Sequence, residues 1–394
     1  MRVAGIDPGT KSFDIAVIEG PRVVEEVSIE TSEIARNPRT LIEALRRLEP
    51  DLVVAPSGYG VPPTWSHEVV DPHRFAVEIL LLSTDEAIEE GVSRGDPGAY
   101  VYRALALIVE EIQRSSTRAI YIPSAILLPT IPPHRKINRI DMGTADKLAV
   151  TALAVYDQSR RLGIGFEETS FILVEMGFGY NAIMVVDGGR VVDGFGGTSS
   201  TIGFLTAGPL DLEVVVAGET WRRTDVFHGG VADACRCSSL DEALDLYEAG
   251  REPCRSAVEA MIEGIAKCVA EALVVNPHPR EILLSGRYSR SDRFVKLVRE
   301  KLQEVARGIE VRRLGLLEGA RVSKEAAQGY AIVGEGLAGG FFKDLVKHMR
   351  IDEACGTVMD WVIHPAASRA RERVRRAYVE SVKRPKLCES GGWC

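Results

Sequence analysis

A chain of 394 residues is longer than one hydrophobic core ordinarily grows, so two domains are expected. Hydrophobic residues at 45% and charged residues at 26% fit a soluble globular protein, and a net charge of −8 argues against the basic footprint of a nucleic-acid binder. The densest apolar run, Phe75 to Leu82, is interrupted by Glu78 and is too short to cross a bilayer, while the N-terminus runs directly into an apolar strand pattern with no charged leader. The expected compartment is therefore the cytoplasm, with no membrane and no nucleic-acid partner.

The first element, Val3 to Glu25, recurs without a gap as Phe171 to Asp193. Asp7 falls on Glu175, Gly9 on Gly177, Ile15 on Ile183 and Val17 on Val185. Glu19-Gly20 falls on Asp187-Gly188, and Arg22-Val23-Val24 on Arg190-Val191-Val192. Each copy reads as a three-strand meander: an apolar strand ending in a carboxylate, a glycine turn, an alternating strand, a tight acidic-Gly turn and a third strand. Shared hydrophobicity explains the apolar matches but does not hold the acidic and glycine positions at one offset. The chain thus reads as a duplication.

After the first meander, Pro38 to Leu48 is an amphipathic helix and Asp51 to Ala55 a buried strand. Tyr100 to Arg114 is helical, Ala119 to Ile122 a short strand, and Thr144 to Arg161 an alanine-rich helix. The second half repeats this ending. Ala257 to Leu273 is a helix, Glu281 to Ser285 a strand, Asp292 to Ala306 a helix, Ile309 to Leu314 a strand, and Lys324 to Leu337 a helix rich in Ala and Gly. Alternating strands and helices give an α/β class, with halves at residues 1–166 and 167–340. Residues 341–394 read as a helical extension: Phe341 to His364 carries an apolar stripe, and Ala366 to Lys383 reads as a surface helix laced with ion pairs.

Asn and Gln are scarce while Arg, Glu and Val are abundant, the bias expected of a hyperthermophile. Seven cysteines include one C-x-C pair, Cys235 and Cys237, but no second close pair, so structural zinc is not expected. Cys268 and Cys355 lie in helical patterns and read as small buried hydrophobes. A disulfide between Cys388 and Cys394 is open.

The chemistry centres on Asp7-Pro8-Gly9-Thr10-Lys11. A strand ending in a carboxylate and followed by Gly, Thr and Lys suits a phosphate chain. Glycine lets backbone amides approach, Thr and Lys add donors, and the carboxylate suits Mg²⁺. The second copy, Glu175-Met176-Gly177-Phe178-Gly179, offers the same parts. Facing turns would clamp a polyphosphate and its metal between Asp7 and Glu175. Ser285-Gly286-Arg287 ends another strand at a glycine turn, either an ordinary strand–helix loop or a place where an adenine ring or ribose would pack on bare backbone. Asp146 lies in the first turn of its helix, either as a dipole-stabilised cap or as a base or metal contact. Arg139, with His134-Arg135-Lys136 on a proline-rich loop, is a candidate for anion binding. Asp141 is either a neighbour of the helix cap or a substrate contact.

Together these features resemble the acetate and sugar kinase, heat-shock chaperone and actin superfamily. Within it, three segments resemble the archaeal predicted butyrate kinases: Gly5 to Thr10, Arg139 to Leu148, and Gly196-Gly197-Thr198 through Gly208-Pro209-Leu210-Asp211. The resemblance implies duplicated actin-like ATPase (ribonuclease H-like) domains flanking a nucleotide cleft. It also implies ATP and Mg²⁺ as cofactors and phosphotransfer to a small-molecule acceptor such as a short-chain carboxylate, butyrate among them. A homodimer stays open. In this reading ATP sits on Asp7, Gly9, Thr10, Lys11, Gly177, Gly179, Ser285, Gly286 and Arg287, the metal on Asp7 and Glu175, and catalysis falls to Asp146, Arg139 and Glu175. Acetate kinases carry an arginine just before the Gly-x-x-Asp pattern, and this chain has Thr206 there. A nucleotide-gated assembly protein, or a member that binds nucleotide without turnover, is the alternative.

Overall fold

The computed structural model describes residues 1–218 and 220–388. The first sheet contains β1 (Arg2–Pro8), β2 (Ser12–Glu19), β3 (Arg22–Glu30), β4 (Leu52–Val54), β5 (Thr64–Trp65) and β6 (Ala119–Tyr121). Its order is β3-β2-β1-β4-β6-β5. The second contains β7 (Phe171–Met176), β8 (Asn181–Asp187), β9 (Arg190–Phe195), β10 (Glu281–Ser285) and β11 (Glu310–Arg313). Read from β9, its order is β9-β8-β7-β10-β11, the same arrangement without the short edge strand. In both, the meander is antiparallel and the later strands join in parallel, except for the short edge strand β5, which is antiparallel to β6. The ladder slips between Val17 and Ile18 in one sheet and between Val185 and Val186 in the other. These are the same two positions of the sequence repeat, so even the irregularity is duplicated.

The helices that matter here are α1 (Arg39–Leu48), α2 (Pro97–Arg114), α3 (Ala145–Leu162), α4 (Cys254–Val275), α5 (Asp292–Val305), α6 (Glu325–Leu337) and α7 (Ser368–Ser381). Strand alternation divides the apolar residues between faces. Val3, Phe171 and Leu173 join a central core with α3 and α6, whereas Ala4, Ile6, Ile172 and Val174 join the outer cores. The two closing helices are therefore sandwiched between the sheets, and α6 packs across β1 and β2 of the first. Their small residues are a steric requirement. A Cβ on Gly329 would stand 2.0 Å from the Ala149 carbonyl oxygen, and one on Gly5 2.1 Å from that of Ala327.

The extension differs from its sequence reading. Only Lys343–His348 is α-helical within Phe341 to His364. Arg350 (φ 57°) and Gly356 (φ 79°) adopt left-handed backbone, which a continuous right-handed helix excludes. Cys355 is accordingly not a helical core residue; it is disulfide-bonded to Cys388. That bond replaces the Cys388–Cys394 pairing, and Cys394 lies outside the described residues. A second disulfide joins Cys235 to Cys254, while Cys268 is a free, buried thiol as expected. The described residues contain no group of three or more His, Cys, Asp or Glu arranged to hold a metal ion. Helix α7 buries Val374, Ala377 and Tyr378 against the π-helical turn Phe75–Leu80, so it is a packed element and not only a charged surface helix. Among the described residues no helix is long and apolar enough to cross a membrane.

Candidate active site

Strands β1 and β7 deliver Asp7 and Glu175 to one cleft, where both side chains are buried. The turns after them face each other: Lys11 Nζ lies 4.4 Å from the centroid of the Phe178 ring. The closing helices then cross over. From the start of α3, Lys147 Nζ reaches Glu175 at 2.8 Å and Asp146 at 2.7 Å. At the N-cap of α6, Lys324 Nζ reaches Asp7 at 3.3 Å and Asp14 at 3.0 Å. Each half thus sends a lysine to the carboxylate that ends the other half's first strand.

The electrostatics follow from burial and these pairings. Burial pushes the Asp7 carboxyl up to about 6, with Asp146 and Asp14 adding to the rise and Lys324 opposing it. Burial also raises Glu175, against the pull of Lys147. For Asp146 the burial penalty is outweighed by Lys147, and its carboxyl is held below the usual range. Thr144 Oγ1 donates to one Asp146 oxygen and Lys147 Nζ to the other. Asp146 is therefore a poor general base: its proton affinity is lowered and both oxygens are engaged. Asp141 behaves differently, since burial pushes its carboxyl up to about 6. It accepts from the Gly143 amide and stands against Gly196, where a Cβ would come within 2.2 Å of its Oδ1.

A single cavity of about 580 Å³ gathers most of the expected residues. Asp7, Gly9, Thr10, Lys11, Arg139, Asp146, Glu175, Gly177, Gly179, Gly286 and Arg287 all line it. Ser285 does not. It is fully buried at the end of β10, and the chain reaches the cavity only at the next residue. There Gly286 adopts φ +84°, and a Cβ on it would meet Glu175 Oε1 at 2.5 Å. The amides of Gly9 and Gly177 are not free for phosphate either, because they donate to Asp7 O and Tyr180 O. In the two turns, the amides of Thr10, Lys11, Phe178, Gly179 and Tyr180 have no hydrogen-bond partner among the described residues. Of the basic cluster only Arg139 lines the cavity. Arg135 donates to Val192 O, and buried Lys136 donates to Leu128 O beneath Trp361. His73 lies outside the cavity, held between Asp85 and Glu110.

Several cavity residues carried no assignment from sequence: Lys147, Lys324, Tyr59, Tyr102, Tyr180 and Arg223. The lysines had a usable signal, since each stands at the start of a closing helix. Arg223 had none. It sits in a short 3-10 turn after an irregular segment, and only the fold brings it to Tyr59 and Tyr102.

The donor set fits Mg²⁺, which takes one or two carboxylates and completes its shell with water and phosphate oxygens. Asp7 and Glu175, which line one cavity, are the candidates for that pair. Glu175 Oε2 is ion-paired with the Lys147 ammonium at 2.8 Å, while its Oε1 has no hydrogen-bond or ion-pair partner among the described residues, which leaves an oxygen for a cation.

The family described as "Protein of unknown function (DUF1464)" matches residues 5–364. The chain belongs to this family. No curated protein matches the DUF1464 chain. Among solved structures, a propionate kinase from Francisella tularensis subsp. tularensis SCHU S4 aligns with TM-score 0.54 at 12% identity, covering 83% of this chain and 98% of that one. Acetate kinase from Porphyromonas gingivalis aligns with TM-score 0.53 at 14% identity, covering 86% and 99%. Acetate kinase from Entamoeba histolytica aligns with TM-score 0.50 at 13% identity, covering 77% and 87%. The DUF1464 chain thus has the α/β fold of duplicated actin-like ATPase domains flanking a cleft.

Proposed function

We propose that this protein is an ATP-dependent phosphotransferase acting on a small-molecule acceptor, with a short-chain carboxylate such as butyrate as the preferred candidate. The observation that carries the reading is the crossed pair of lysines, Lys147 on Glu175 and Lys324 on Asp7, between two facing glycine turns in one cavity. Phosphoryl transfer depends on positioning and charge neutralisation more than on covalent chemistry, and this cleft offers both. In this reading the amides of Thr10, Lys11, Phe178 and Gly179 hold the phosphate chain, and Gly286 and Arg287 take the nucleoside. Asp7 and Glu175 would hold Mg²⁺, which would supply neutralising charge to the phosphate oxygens. Arg139, Lys147 and Lys324 stabilise the transferring phosphoryl group as an acceptor oxygen bonds to phosphorus and the bond to ADP breaks.

A carboxylate acceptor is already deprotonated at neutral pH. It needs no general base, consistent with an Asp146 whose two oxygens are engaged and that positions Lys147. Thr206, where acetate kinases carry arginine, is fully buried, pairs with Gly229 and does not line the cavity. The cleft arginines come from elsewhere in the chain.

The test is thermal stability with and without Mg-ATP and Mg-ADP, on wild type and Asp7→Ala. A ligand that binds only the folded state raises the melting temperature. The expected result is a shift in wild type that the variant loses, followed by ADP release with butyrate or acetate. No shift at millimolar nucleotide would remove the foundation of the kinase reading. Slow ATP hydrolysis indifferent to every acceptor would favour a nucleotide-gated assembly protein.

A further inference from the structure

One wall of the cavity belongs to neither phosphate turn. Arg223 Nε donates to Leu82 O, and its Nη2 donates to Leu81 O and the Tyr59 hydroxyl, each at 3.2 Å. The guanidinium lies 5.8 Å from the Tyr59 ring centroid and 5.1 Å from that of Tyr102. It forms no ion pair with a carboxylate among the described residues, and its Nη1 has no partner there. Lys147 and Lys324 each hold two acids, whereas Lys11, Arg139 and Arg287, like Arg223, form no ion pair among the described residues. A partly buried guanidinium in an aromatic setting, with one nitrogen unengaged, carries charge that the protein leaves uncompensated.

Beside Tyr59, Tyr102, Tyr180 and Asp141, the cavity lining includes an apolar group. Leu80 and Leu82 come from the end of the π-helical turn, Val101 and Leu105 from α2, Val226 from the turn that carries Arg223, and Val374 from α7. These side chains offer no donors or acceptors. A sugar bound against them would bury hydroxyl groups without partners, a costly arrangement. An anion with an apolar body satisfies both features, since its charge meets Nη1 and its tail covers the leucines and valines.

We propose that Arg223 and this apolar wall form the acceptor subsite, and that they select an anion carrying an apolar tail, such as an aliphatic monocarboxylate, over a sugar. The proposal rests on the phosphotransferase reading and deepens it by naming the residue that recognises the acceptor. Arg223 bonds to carbonyl groups at Leu81 and Leu82, so the subsite is built from both halves of the chain. Its apolar character also predicts a dependence on tail length: each added methylene tightens binding roughly three- to fourfold until the wall is filled.

The experiment titrates acetate, butyrate, hexanoate and glucose by calorimetry, with and without saturating Mg-ADP, on wild type, Arg223→Gln and Val101→Trp. The expected order is hexanoate over butyrate over acetate, with no heat from glucose. Arg223→Gln weakens butyrate about 10- to 100-fold, the usual loss for a hydrogen bond to a charged group, and keeps the Mg-ADP response. Val101→Trp fills the wall and weakens the longer acids while Arg223 stays intact. Glucose binding, a flat series, or Val101→Trp with unchanged hexanoate affinity overturns the proposal, even if Arg223→Gln proves unstable. Carboxylate binding in a protein that ignores Mg-ADP would retain the subsite and sink the kinase reading instead.

Discussion

Lys147 stands 2.8 Å from Glu175, although the lysine opens the closing helix of the first half and the glutamate ends the first strand of the second. Lys324 and Asp7 make the reciprocal contact. The duplication is therefore interlocked, and each half completes the charge balance of the other's phosphate turn. Replacing Lys147 by Met leaves Glu175 and Asp146 without their shared cation. Breaking a buried pair in this way costs about 3–5 kcal/mol, read as a lower urea midpoint. Lys147→Arg retains the charge and should lose less.

Lys324 and a divalent cation would draw on the same Asp7 carboxylate. In Lys324→Ala, Asp7 and Asp14 lose the one ammonium that contacts both. Mg²⁺ without nucleotide should then raise the melting temperature more than it does in wild type. An equal response in the two proteins would show that the cation does not bind at Asp7.

Asp7 makes stability depend on pH in the opposite sense to a salt-bridged carboxylate. Its carboxyl is raised from 3.8 to about 6 in the fold, so between those values the folded state holds more protons than the unfolded chain. Stability is full below pH 4 and declines as pH rises to about 6, by about 3 kcal/mol for this group. Asp7→Asn is accordingly expected to be more stable than wild type at pH 7.5. The difference should shrink toward pH 4, while the nucleotide-induced shift is lost throughout. Urea midpoints at the two pH values check the sign.

Two glycines with positive φ should respond differently to alanine. Gly20 (φ +55°) has nothing within 4 Å of a new Cβ, so Gly20→Ala costs only the left-handed backbone penalty, about 1 kcal/mol. Gly286 (φ +84°) would drive its Cβ into Glu175 Oε1 at 2.5 Å and Met176 O at 2.6 Å. Gly286→Ala should therefore also abolish the Mg-nucleotide response. Thermal melts with and without nucleotide separate the two effects.

The Cys355–Cys388 disulfide ties down the segment that includes α7, whose Val374 lines the cavity. Alkylation in denaturant without reductant should label Cys237 and Cys268 and spare Cys235, Cys254, Cys355 and Cys388. Cys388→Ser should lower stability by about 2–4 kcal/mol. Labelling of Cys388 under those conditions would show that the bond is absent.

Much of the architecture was legible because it is local or periodic. The repeat of Asp7 on Glu175 and Gly9 on Gly177 announced the two meanders. Alternation and helical spacing located most strands and the longest helices of both halves, though not the helices Asp85–Ser93 and Leu240–Glu248, and the carboxylate-glycine turns marked where phosphate chemistry was expected. These signals arise from hydrogen-bond geometry and side-chain period over a few residues, which one segment expresses alone. What only the tertiary structure decided depends on contacts between distant segments. Packing of α3 and α6 between the sheets pairs Lys147 with Glu175 and Lys324 with Asp7. The turn at Gly286 leaves Ser285 outside the cavity, Cys355 finds Cys388 across a left-handed break, and Arg223 reaches the carbonyls of Leu81 and Leu82. No local pattern encodes such a partner, because its identity is set by which surfaces the whole chain buries together.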